Sequence, residues 1–139
     1  MRGESSSSIA TEGTVASGMG RGAQFLAIEW VLRELRARVG LIPFPGTLNL
    51  RISSSVWASL YAQRASFVKI EDPCAAGCPG YIRRVVLTAN GQVYSSAYLI
   101  LPERTMYKDV LEIIAAENLR QKLRLKDGDV VRVEEFQKE

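Results

Sequence analysis

The stretch ERTMYKDVLEIIAAENLRQKL, residues 103–123, decides the fold of this chain, because its middle admits two readings. In the first, Asp109 and Glu112 form an N-terminal capping box and open one long helix. In the second, VLEIIA (110–115) is a buried strand and only ENLRQKL (117–123) is helical. The apolar run is too short for periodicity to choose. The choice also sets the meaning of Glu112. On a helix it is an ordinary cap; inside a buried strand it is a carboxylate among apolar neighbours, needing a partner or a ligand hydroxyl.

The flanking sequence favours strands. LKDGDVVRVEEF (125–136) places a turn at Asp127-Gly128 before a β-branched run. YIRRVVLTANGQVYSSAYLILP (81–102) reads as two strands joined at Asn90-Gly91, a strong hairpin dipeptide. Ahead of it, EDPCAAGCPG is a loop, SFVKI a strand candidate, and SSSVWASLYAQRA a short helix in preference to a loop. EWVLRELRARVG has Val31, Leu32, Leu35 and Val39 at helical spacing, with Gly40 at the C-terminal cap position. TEGTVASGMGRGAQFLAI opens with a short strand and passes through Gly18, Gly20 and Gly22. Strands outnumber helices about two to one without βαβ alternation, which predicts a small, mainly β, mostly antiparallel barrel with a few short helices.

Composition narrows the chemistry. The 139 residues are 47% hydrophobic and 24% charged, as in an ordinary globular domain. Residues 1–11 are polar and serine-rich, so they are expected to form a disordered leader, with one domain over 12–139. No run of about 18 apolar residues is present, so a cytoplasmic chain without membrane contact is expected. The net charge of +3 suits phosphate-bearing ligands, while sparse aromatics (8%) give no stacking platform, so no nucleic-acid partner is expected. Histidine is absent, which removes the commonest general base and metal ligand. Cys74 and Cys78 supply at most half a zinc site and read as a loop with two thiols.

Three groups of residues stand out. Glycines in SGMGRG let backbone N–H groups approach a phosphate, although taken alone a flexible turn is the commoner explanation. In GLIPFPGTLNLRI (40–52), period-2 alternation puts Thr47 and Asn49 on the same side of a strand. Their neutral oxygens suit a Mg²⁺ shell completed by nucleotide phosphates, or a simple hydrogen bond to a neighbouring strand. Glu103, Arg104 and Thr105 follow a proline at a strand end, where side chains are often presented to ligands.

Taken in order, GTVASGMGRGAQF, VGLIPFPGTLNLRI and LPERTMYKDVLEIIAAENLRQKLRLKDGDVVRV resemble the archaeal CTP-dependent riboflavin kinases, over about residues 12–134. The resemblance implies a six-stranded cradle-loop β-barrel and transfer of the γ-phosphoryl of CTP to the terminal ribityl hydroxyl of riboflavin, giving FMN and CDP. It implies nucleotide contacts from Gly18, Met19, Gly20, Arg21, Gly22 and Ala23, and from Glu117, Asn118, Leu119 and Arg120. Thr47 and Asn49 match the Mg²⁺ ligands, and Thr105 and Glu112 the flavin contacts. Glu112 is the expected catalytic carboxylate, orienting the accepting hydroxyl. On this reading VLEIIA is a strand. The chain departs from the family at Arg21, where many members carry glutamate, and at Ala116, where proline is common. A monomer is expected; a flavin- or nucleotide-binding barrel without kinase activity is the alternative.

Overall fold

The structure, a computed structural model, describes residues 9–17, 22–74, 77–104 and 107–137. Its strands are β1 (Ala10–Ala16), β2 (Leu48–Arg51), β3 (Val68–Ile70), β4 (Gly80–Ala89), β5 (Gln92–Pro102), β6 (Val110–Ile114) and β7 (Val130–Glu135). All pairings are antiparallel, and the sheet runs β3-β4-β5-β6-β2-β1-β7 with a further β4–β7 pairing. Six strands therefore close into a ring. The seventh, β3, pairs with Gly80–Ile82 of β4, and β7 takes β4 from Val85 to Thr88.

The ambiguous stretch is a strand. Val110–Ile114 is flanked by β2 on one side and β5 on the other, and Leu111 and Ile113 are fully buried in the barrel interior. No capping box forms: Arg51 Nη1 donates to the Asp109 carboxylate at 2.8 Å, and Glu112 sits in register between Asn49 and Ile100. What decides against a helix is pairing on both edges, which five residues of local sequence do not encode.

The hairpin turn is as the dipeptide predicts, with Asn90 and Gly91 at φ 51° and 73°. Helix α1 (Gly22–Phe25) was not anticipated; it precedes α2 (Glu29–Val39), which ends at Gly40, whose N–H reaches the Arg36 and Leu35 carbonyls. Helix α3 (Ser54–Ala62) starts at Ser53, whose Oγ accepts from Val56 N. Helix α4 (Leu119–Lys122) is shorter than the ENLRQKL block, because Asn118 is its cap. The chain enters β1 at Ala10, with Ile9 already buried, so the boundary expected at residue 12 falls inside a strand.

Two apolar layers hold these pieces. Inside the ring, Leu50, Leu87, Leu99, Leu111, Ile113 and Val131 pack together. On the outer wall, Ile70, Ile82, Ile100 and Ile114 are covered by Leu26, Leu41 and the Val31 and Leu35 face of α2. Burying each of these side chains contributes roughly 1.5–3 kcal/mol. Cys74 and Cys78 are exposed free thiols, and their loop rests on α2, since a Cβ on Gly77 would lie 3.0 Å from Trp30 Nε1. Among the described residues no helix is long and apolar enough to cross a membrane.

Candidate functional site

The site is built where β1, β2 and β6 lie side by side. The PFPG loop enters β2 tied down by Phe44 N, which donates to Ala115 O at 2.7 Å just past the end of β6. Thr47 then stands beside Asn49, its Oγ1 donating to Asn49 Oδ1 at 2.9 Å. The pairing of these two oxygens follows from the strand period read in the sequence. Leu48 and Leu50 point into the barrel, so Asn49 faces the outer wall, where it is 8% exposed and the only buried polar side chain among the described residues.

Asn49 has two cross-strand neighbours. On β6 it faces Glu112, and on β1 it faces Ala16. Glu112 is therefore held beside the Thr47–Asn49 pair. Burial alone raises its pKa above the usual carboxylate value. Ala16 is the last residue of β1, so the chain leaves for the glycine segment next to Asn49. Gly18, Met19, Gly20 and Arg21 lie outside the described residues, as does Thr105. The backbone of Gly22 and Ala23 starts α1. The ends of the 103–109 segment are fixed: Tyr81 OH donates to Glu103 Oε1 at 2.7 Å and Tyr61 OH to Glu103 O, while Ile52 N donates to Asp109 O at 2.9 Å.

Between the PFPG loop and the start of α4 lies a cleft of about 170 Å³. Phe44, Gly46 and Thr47 line one side, and Glu117, Asn118, Leu119 and Arg120 the other, over a floor of Leu48, Ile113 and Ala115. The block expected to meet a nucleotide and one of the two expected metal ligands thus share one cavity. Its members differ in what they have free. Asn118 Oδ1 accepts from Gln121 N as the helix cap, and Leu119 is buried in the barrel core. Glu117 Oε2 accepts from Tyr94 OH at 3.1 Å; burial, then this carboxylate, raises the Tyr94 pKa. Arg120 donates to Ser17 Oγ and pairs with Asp127, both at 3.0 Å.

Ser17, Tyr94 and Asp127 were not singled out by sequence reasoning. Asp127 read only as a turn residue, and nothing in a single sequence links it to Ser17, 110 positions away. Contacts over such separations leave no local periodicity to read.

The donor set fits a small hard cation. Mg²⁺ takes oxygen ligands at about 2.0–2.1 Å in octahedral geometry, which puts adjacent ligand oxygens about 2.9 Å apart. The 2.9 Å between Thr47 Oγ1 and Asn49 Oδ1, here the length of their hydrogen bond, is compatible with that spacing. Two neutral oxygens bring no charge, so such a site needs an anionic ligand to complete it. No group of three or more His, Cys, Asp or Glu side chains suited to a metal occurs among the described residues.

Comparison with known proteins identifies the family. The family model named for the CTP-dependent riboflavin kinases, and described as a domain of unknown function, DUF120, matches residues 15–134. A riboflavin kinase of Aeropyrum pernix is 39% identical over 125 residues, covering 87% of this chain and 91% of that protein. One from Haloquadratum walsbyi is 33% identical over 137 residues, covering 95% of this chain and 58% of the relative. One from Methanosphaera stadtmanae is 29% identical over 124 residues, covering 88% and 95%. The chain thus spans little more than half the length of some curated relatives and nearly all of others.

Proposed function

Because the chain belongs to the CTP-dependent riboflavin kinase family, we propose that it transfers the γ-phosphoryl group of CTP to the terminal ribityl hydroxyl of riboflavin, giving FMN and CDP. The observation that carries this reading is the Thr47–Asn49 oxygen pair, whose Thr47 lines the cleft, with Glu112 across the β2–β6 pairing from Asn49. Phosphoryl transfer asks for positioning and charge neutralisation rather than covalent chemistry, so a chain without histidine is equipped for it.

In this mechanism Thr47 and Asn49 would hold a divalent metal ion, which we take to be Mg²⁺ and which would supply charge neutralisation for the phosphates. Backbone N–H groups of residues 18–23 cradle the phosphates, and Glu117 to Arg120 receive the rest of the nucleotide. Thr105 and Glu112 contact the flavin, with Glu112 accepting the proton of the attacking hydroxyl. Burial raises the proton affinity of this carboxylate, which makes it a stronger base than an exposed one while it stays ionised. Lowering the pH through its raised pKa protonates it, so the rate falls toward acid.

The chain is taken to act as a monomer in the cytoplasm. The deciding experiment incubates purified protein with riboflavin, Mg²⁺ and CTP, ATP, GTP or UTP in turn, and follows FMN by chromatography. FMN formed chiefly with CTP supports the proposal. Riboflavin binding without FMN from any donor overturns it in favour of a binding barrel that lacks the chemistry.

A further inference from the structure

Arg120 is held from two sides by residues that no sequence pattern assigns to the site. Its Nη1 donates to Ser17 Oγ and its Nη2 pairs with Asp127 Oδ1, each at 3.0 Å. Ser17 Oγ in turn donates to the same Asp127 oxygen at 2.6 Å. The three side chains make a closed triangle. The backbone sets two of its corners: Gly128 N donates to Val15 O at 2.8 Å and Val15 N to Asp129 O at 2.9 Å, which pins the turn holding Asp127 against the end of β1. The third corner belongs to α4 and lines the cleft.

Two consequences follow from the chemistry. A guanidinium carries five N–H donors in a fixed plane, and the triangle engages both terminal nitrogens on one edge. The plane is thereby oriented, and its other N–H groups remain for a ligand. An unrestrained arginine would lose side-chain freedom on binding. Here that ordering precedes the ligand. Asp127 is suited to the task, since the hydroxyl of Ser17 and then Arg120 hold its carboxyl below the usual carboxylate range.

We propose that Ser17 and Asp127 are positioning residues that hold the Arg120 guanidinium at the cleft in the orientation that receives the nucleotide, and tie it to the residue from which the glycine segment departs. The inference rests on the nucleotide reading of the cleft. It assigns the triangle to the nucleotide half of the reaction and not to the flavin half, which lies toward Glu112 and the 103–109 segment.

The test compares Ser17→Ala, Asp127→Ala, the double variant and Arg120→Ala with the wild type in the CTP-dependent assay. KM is measured separately for CTP and riboflavin, alongside the thermal midpoint. Both single variants should raise KM for CTP about tenfold, with KM for riboflavin and the thermal midpoint little changed. Because both act through one guanidinium, the double variant should cost no more than Arg120→Ala, well short of the product of the single effects. An unchanged KM for CTP overturns the inference. So does a rise in both KM values with a lowered midpoint, which marks general loosening, or multiplicative single effects in the double variant. A wild type that makes no FMN from CTP overturns the kinase reading itself and the inference with it, whereas an active wild type with indifferent variants removes the inference alone.

Discussion

Glu112 carries opposing demands in one side chain. Its place in β6 half-buries it between Asn49 and Ile100, and that partial burial raises its pKa. A carboxyl that binds its proton more tightly folded than unfolded contributes stability at pH values below the unfolded pKa. That contribution is lost as pH rises through the folded pKa. At neutral pH the ionised group is therefore a cost to the fold. Glu112→Gln should raise the thermal midpoint at about pH 8 and lose that advantage near pH 4, while lowering kcat on the order of a hundredfold. Melts of both proteins at the two pH values check the first half; an equal gain at both would mean that ionisation is not the cause. Thr47 and Asn49 were legible as a pair because strand periodicity puts residues two apart on one side. The Ser17–Asp127 contact was not, because it joins distant segments of the chain.

At the scale of elements, the sequence spoke clearly wherever a special backbone conformation left a mark. Asn90-Gly91 marks the β4–β5 turn and Gly40 the end of α2, whereas the Ser53 cap that starts α3 was not read. The identity of β6 was not local. Pairing with β2 and β5 overrides the capping box that Asp109 and Glu112 would suggest, and only family resemblance chose correctly between the two. Gly13 in β1 is an element-level requirement that composition hides. A Cβ there would lie 2.8 Å from Leu50 Cβ, 3.1 Å from Ile52 Cγ2 and 3.2 Å from Arg51 O. Gly13→Ala must therefore push β1 off β2, at a cost of about 2 kcal/mol. Because the β1–β2 register sets Asn49 opposite Ala16, activity should fall as well. Denaturant midpoints and CTP turnover on the same sample measure both. A variant of unchanged midpoint would mean that the seam accommodates the methyl by a shift too small to matter.

Over the whole molecule, a barrel was expected from the strand content and its six strands from the family resemblance, but which strands close the ring could not be read. Closure depends on β7 meeting both β1 and β4, pairings between segments distant in sequence that turn chemistry leaves unspecified. That closure gives the site its rigidity: Asn49 and Glu112 sit on adjacent barrel strands, Ser17 leaves a third, and α4 is anchored by Leu119 in the same core. Ligands held by several such elements bind the folded ring and not the open chain, so they stabilise it by mass action. CTP with Mg²⁺ at about a hundred times its Kd should add about 2.7 kcal/mol, or roughly 8 °C of thermal midpoint for a chain of this length. Asn49→Ala separates this from a general effect. It removes half of the oxygen pair, so the extra shift that Mg²⁺ gives to CTP should largely vanish, while riboflavin alone still raises the midpoint as it does in the wild type. If the variant kept the full Mg²⁺-dependent shift, the metal would have to be held by something other than the Thr47–Asn49 pair. The cleft would then have to be assigned without it.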